Sequence, residues 1–217
     1  MAARPPWSRI APVGNMYRVG LMSSTVTAFT GGAAGTMTSS LFSFQWVSGT
    51  RIAQITQVEF QWSVNATITT NQDLPFGLFV VRKFTTAPTG GTAATFTASV
   101  TNALSGAFDT NFGTTSFATS GDIRIGSTAL LTGGTGNIDT CPQRQWVGGA
   151  GVTQFLGAGP VTQMPAWAEY GADPNNQALW LRNQEGFSIQ PLASLGSVGS
   201  LVFYVTVEWI EAPSNFL

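Results

Sequence analysis

Apolar and polar residues alternate along several stretches of this chain with a period of two. In "QITQVEFQWSV", residues 54–64, Val58, Phe60, Trp62 and Val64 fall on one side, while Gln57, Glu59, Gln61 and Ser63 fall on the other. That is the pattern of a half-buried strand. Residues 201–211, "LVFYVTVEWIE", repeat it: Leu201, Phe203, Val205, Val207 and Trp209 share one face, and Val202, Tyr204, Thr206 and Glu208 the other. The spacing places Phe60, Trp62, Phe203, Val205 and Trp209 in a core. "LFSFQWV", 41–47, and "FGLFVVRKF", 76–84, read as further strands, the second apolar on both faces. "TAPTGG", 86–91, is a turn cluster that ends it.

Between residues 92 and 175 the pattern is shorter-ranged. "ATFTASV", "DIRIGSTALL" and "QWVGGAGVTQF" predict short strands separated by glycine-rich pieces such as "LTGGTGN". Residues 157–177, with Pro160, Pro165 and Pro174, read as a long ordered loop carrying Trp167 and Tyr170. "ALWL" and "FSIQ" flank "RNQEG", which predicts a hairpin with Asn183, Gln184, Glu185 and Gly186 at its tip. In that reading Gly186 supplies a backbone conformation other residues resist, and Glu185 is a turn residue beside Arg182.

At the other end, Pro5, Pro6 and Pro12 oppose regular structure. The first 20 residues therefore read as an extended arm with Trp7 and Tyr17 as apolar anchors, and "SSTVTAFTGGAAGTMTSS", 23–40, reads as loop. No segment of about ten or more residues carries a capped 3.6-residue period. The expected fold is all-β: a single antiparallel β-sandwich, jelly-roll-like, over residues 41–217, preceded by an extended N-terminal arm and loop over 1–40.

Composition narrows the function more than it names one. Of 217 residues, 43% are hydrophobic and 9% are charged, against about 25% charged in an average soluble domain. A surface with so few charges is either coated with Thr, Ser, Asn and Gln or covered by neighbouring copies. The net charge of −1 and the scattered basic residues argue against a nucleic-acid partner. No stretch approaches the roughly 20 apolar residues of a membrane helix, and "MAARPPWSRIAPVG" lacks the apolar run of a secretory signal. The expectation is synthesis in a cytoplasm and no membrane partner.

The chain contains no histidine and one cysteine, Cys141. That removes imidazole bases, the Ser-His-Asp triad and thiolate metal clusters. Acid–base chemistry would fall to paired carboxylates as in glycosidases, for which Glu169, Glu185 and Asp173 are the candidates; turn carboxylates are the simpler reading. "TGGTGN", 132–137, lacks the GK[ST] ending of a phosphate loop. Asp122 and Asp139 lack the dense spacing of a calcium loop. Trp146 and Trp167 read as loop residues, freer than Trp62 and Trp209. No cofactor, metal or catalytic residue is assigned.

Several pieces occur in a telling order: "LFSFQW", "VEFQWSVNATITTNQDLPFGLFVVRKF", "TGG", then "DIRIGSTALLTGGT", "LWLRNQEGFSI" and "VTVEWIE". In this order, over residues 41–131 and 178–211, the chain resembles small virion structural proteins of tailed bacteriophages. The resemblance implies a capsid decoration or cement protein with no catalytic residues. It would sit on the outer capsid surface of the virion, with the major capsid protein and further copies of itself, as a homotrimer, for partners. Trp7, Arg9, Tyr17, Trp167 and Tyr170 are the expected interface residues. Two alternatives stay open: a tail- or fibre-associated protein that binds a host glycan through exposed aromatics, and a carboxylate-based glycan hydrolase.

Overall fold

The computed structural model describes residues 16–32, 36–66, 72–94, 100–102, 123–150, 166–169, 179–195 and 199–214. Among them there is no α-helix. Two antiparallel sheets pack face to face as a β-sandwich. The first is built around β3 (Arg51–Ala66) and β13 (Ser200–Pro213). β13 also pairs with β1 (Met16–Met22), and β1 with β6 (Val100–Asn102). On its other side β3 takes β10 (Ala166–Glu169) and β11 (Leu179–Leu181). The second sheet runs from β5 (Thr92–Ala93) through β7 (Ile123–Ile125), β2 (Phe42–Gln45) and β12 (Gly186–Pro191) to β4 (Gln72–Thr86). β4 ends the sheet against β8 (Thr135–Ile138) and β9 (Arg144–Ala150).

The core forms where the apolar faces of the two sheets meet. The first sheet contributes Tyr17, Val19, Leu21, Val58, Phe60, Trp62, Phe203, Val205 and Trp209. The second contributes Phe42, Phe44, Phe76, Leu78, Ile123, Phe187 and Ile189. Aromatic rings lock the layers together: Phe44 meets Trp209 at 5.5 Å, Phe60 meets Phe76 at 5.0 Å, and Phe76 meets Phe203 at 5.5 Å between centroids. The five residues expected in the core are all buried there. The pairing of β3 with β13 shifts register twice; near the end of β3, Ser200 pairs with Ala66 and Leu201 with Val64, leaving Asn65 over. Glu208 pairs with Gln57, but Trp209 pairs with Ile55, so Thr56 is an extra residue in a β-bulge. The bulge resets the phase and allows both Ile55 and Val58, three positions apart, to point inward.

Four expectations need correcting. The extended arm does not run to residue 20 and the sandwich begins before residue 41, although the described residues of 23–40 carry no strand, as expected. Met16–Met22 is an interior strand between β13 and β6, and its Tyr17, Val19 and Leu21 are core residues. Val26 and Phe29 follow, each buried and bridged to Leu201 and Leu195. Their apolar side chains are too widely spaced among Ser, Thr and Gly for periodicity to register. Residues 1–15 lie outside the described residues.

The predicted hairpin at 178–190 is not one. β11 pairs with β3 and β12 with β2 and β4, so the chain crosses from one sheet to the other at this corner. Local alternation looks the same for a hairpin and for an arch between layers.

Finally, Trp146 is not a loop residue. It lies on β9, buried, 5.2 Å from Phe60. The predicted loop 157–177 contains β10, and its other residues lie outside the described set.

Candidate functional site

The two outer faces of the sandwich are finished differently. On the β4–β12 sheet, the outer face around Phe79, Val81 and Phe84 is covered by the chain itself, while Val147 on β9 is 59% exposed. Met37 packs with Phe79, Val81, Phe84 and Ile138, and Leu192 closes on them. Ser188 donates to Ser40 at 2.8 Å, Ser40 to the Met37 carbonyl at 3.0 Å, and Gln190 to the Thr36 carbonyl at 2.6 Å. Small polar residues on β12 thus bind the covering segment through hydrogen bonds that burial would otherwise leave unmade.

Among the described residues nothing covers the outer face of the β3–β13 sheet. Residues directly opposite on antiparallel strands share a face, so the register defines its rows: Met22–Tyr204–Gln61, Gly20–Thr206–Glu59, Arg18–Glu208–Gln57, and Ile210–Gln54–Trp180. Met22 is 59% exposed and Tyr204 39%, side by side in the first row. Arg18 and Glu208 form an ion pair at 3.4 Å, and Gln61 donates to the Glu59 carboxylate at 2.8 Å. The face is amide-rich and carries the charged residues Arg18, Glu59 and Glu208, with an apolar pair at one end and half-buried Trp180 at the other.

A second polar cluster lies at the corner between β11 and β12. The Glu185 amide donates to the Arg182 carbonyl at 2.9 Å, and Glu185 Oε2 accepts from the Arg182 amide at 2.7 Å. Gln184 holds φ at 68°, a left-handed conformation. Its carbonyl accepts from the Phe84 amide, and its own amide donates to the Trp46 carbonyl, both at 2.7 Å. The glycine is required for a different reason from the one expected. A Cβ on Gly186 would stand 1.9 Å from the Phe44 carbonyl oxygen, so close approach of β12 to β2 selects glycine. Nearby, Arg82 binds Asp139 through two hydrogen bonds, 3.1 and 2.8 Å. That contact first, and the Glu185 carboxylate to a smaller degree, raise the Arg82 pKa above its ordinary value. Glu185 therefore serves as the lock of a turn and as a distant partner of Arg82.

The expected interface residues separate. Tyr17 is 3% exposed and stacks on Trp209 at 5.7 Å, so its ring belongs to the core and not to an outer contact. Trp167 lies on β10 at the register position opposite Glu59, at the margin of the open face. Trp7, Arg9 and Tyr170 lie outside the described residues. Of the candidate carboxylates, Glu169 is at the register position opposite Gln57, Glu185 is at the corner, and Asp173 lies outside the described residues. Among the described residues no group of three or more Asp, Glu, Cys or His could hold a metal ion. Met22 and Tyr204 are exposed and Trp180 half-buried on the outer side of their strands; for Tyr204 the alternation of 201–211 already places it on the polar side, whereas Met22 and Trp180 carry no such signal. No family model matches the sequence, and no curated protein is significantly similar to it.

Proposed function

We propose that this protein is a structural component of a bacteriophage virion, a capsid decoration or cement protein that binds the outside of the shell and stabilises it. The observation that carries the reading is the contrast between the two outer faces. One is covered over β4 and β12 by the chain's own loop; the other, uncovered among the described residues, offers Met22, Tyr204 and Trp180 with amides, hydroxyls, the Arg18–Glu208 pair and Glu59. Such a face suits burial against a protein neighbour, because its apolar and aromatic groups gain from being covered and Arg18 and Glu208 already neutralise each other. The phage-like order of motifs and the 9% charged content point the same way. The partners are the major capsid protein and further copies of this chain, and the location is the outer capsid surface. A jelly-roll wiring belongs to the same reading, since the chain crosses between sheets from β2 to β3, β3 to β4, β11 to β12 and β12 to β13.

Binding of the purified chain to undecorated capsids, followed by imaging of intact virions, tests the proposal. Regular density for this chain on the shell exterior supports it; its presence only in the tail overturns it. One observation favours a second reading. Trp180 and Tyr204 share a face with Gln54, Gln57 and Gln61, and aromatic rings beside amides are a surface on which sugars stack. Specific retention on a host-glycan array, lost in Trp180→Ala, would move the assignment to a receptor-binding role.

A further inference from the structure

The open face carries an apolar pair and an acidic group at a definite offset. Tyr204 is opposite Gln61, and Glu59 is two residues further along β3, opposite Thr206. Diagonal neighbours of this kind stand roughly 7–8 Å apart. Glu59 accepts a hydrogen bond from Gln61 and has no cationic partner among the described residues, while Arg18 is engaged by Glu208. Residues 1–15 supply the complement: Arg4 and Arg9, no acidic residue, and Trp7 two positions before Arg9. In an extended chain two positions span roughly 6–7 Å, which matches the Tyr204–Glu59 offset.

We infer that residues 4–10 of a second copy lie across this face, with Trp7 over Met22 and Tyr204 and Arg9 paired with Glu59. Three features select a second copy over the chain's own segment and a face over an edge. β1 starts at Met16, at the end opposite Met22, so a segment continuing straight from its start would point away from its own apolar pair. Pro5, Pro6 and Pro12 favour continuation, because proline-rich segments extend at about 3.1 Å per residue and resist reversal. Prolines also lack the donors needed to add a strand to a sheet edge. Each copy gives a segment and receives one through different surfaces, a head-to-tail contact of the kind that forms a ring when its rotation closes. A ring of three is chosen because of the virion reading, on which this inference rests to that extent.

The test uses the full purified chain in solution. Light scattering across a dilution series gives the mass, and trypsin cleavage at Arg9–Ile10 reports coverage of the segment (the Arg4–Pro5 bond resists trypsin). The expected result is a trimer whose Arg9–Ile10 bond is cut about tenfold more slowly than in Met22→Ser/Tyr204→Ser, the scale of one good interface anchor. Protection should disappear on dilution to monomer. Glu59→Arg should weaken the trimer, and adding Arg9→Glu should restore it, a rescue that a merely structural role for Glu59 would not give. Circular dichroism on each variant checks that the sheets persist. Protection that survives in the monomer would assign the face to the chain's own segment and overturn the inference. Equal cutting in wild type and the double serine variant would overturn it too. A clasped trimer that fails to appear on capsids would remove the decoration reading and leave this inference standing.

Discussion

At the residue scale, the aromatic side chains between the sheets hold the layers together. Trp209 is fully buried, stacks on Tyr17, meets Phe44 edge-on, and donates its indole N–H to the buried Glu211 at 3.2 Å. Trp209→Ala should lower unfolding free energy by about 3–5 kcal/mol, read from denaturant titration; a change below about 0.5 kcal/mol would mark a surface position and refute the packing. The corner offers a pair of opposite outcomes. Gly186→Ala forces a methyl group against the Phe44 carbonyl and should destabilise by about 1–3 kcal/mol or more. Gln184→Gly relieves a left-handed φ of 68° and should stabilise by up to about 1 kcal/mol, once the added freedom of the unfolded chain is subtracted. Thermal melts of both variants distinguish close approach from backbone strain as the source of each constraint.

At the element scale, the arch between β11 and β12 depends on Glu185. Its carboxylate caps the Arg182 amide, so Glu185→Ala should cost about 1 kcal/mol or slightly more, and Glu185→Gln less, because one acceptor oxygen remains. The neighbouring Arg82–Asp139 pair contributes little despite its two hydrogen bonds. The Arg82 side chain is 57% exposed, and exposed pairs are worth about 0–1 kcal/mol. The sign of its pH dependence follows from its raised pKa. A cation whose folded pKa lies above the unfolded one contributes in full below the unfolded value, and that contribution is lost only as pH rises through the folded value. Both lie in strong alkali, so Arg82→Met should leave the shape of a stability profile between about pH 5 and 9 unchanged. A profile that tilts in that window would show other groups coupled to this pair.

At the scale of the whole molecule, the order of strands decides where the chain tolerates loss. β1 pairs with β13 over seven registered positions and adds Tyr17, Val19 and Leu21 to the core. Deleting residues 1–22 should therefore abolish cooperative unfolding, whereas deleting 1–15 should leave the sandwich folded and weaken assembly. Circular dichroism with thermal melting separates the two truncations, and capsid binding of the shorter one reads out the assembly loss. If both truncations melted like the full chain, β1 would be dispensable and the sheet order wrong.

The sequence by itself determined the strands with sustained alternation. Val58, Phe60 and Trp62 on β3, and Phe203, Val205 and Trp209 on β13, declare a buried face because side chains alternate across a strand whatever its partners are. The absence of histidine likewise excludes imidazole bases and the Ser-His-Asp triad from the sequence alone. Tertiary structure decided the rest, for the reason that pairing is non-local. Tyr17 has a core position because β13 lies beside it, some 190 residues along the chain in the register with Trp209. β11 and β12 look like a hairpin locally and are separated only because β3 and β2 offer each a different partner. Gly186 gave no sign that a carbonyl of Phe44 would come so close. Nor does alternation reveal which polar face is sealed and which is open: Ser188 and Gln190 are polar and buried under residues 36–41, while Thr206 and Gln61 are polar and face outward. The surface on which the functional reading rests was thus set by where one loop folds, a choice made by packing and not by pattern.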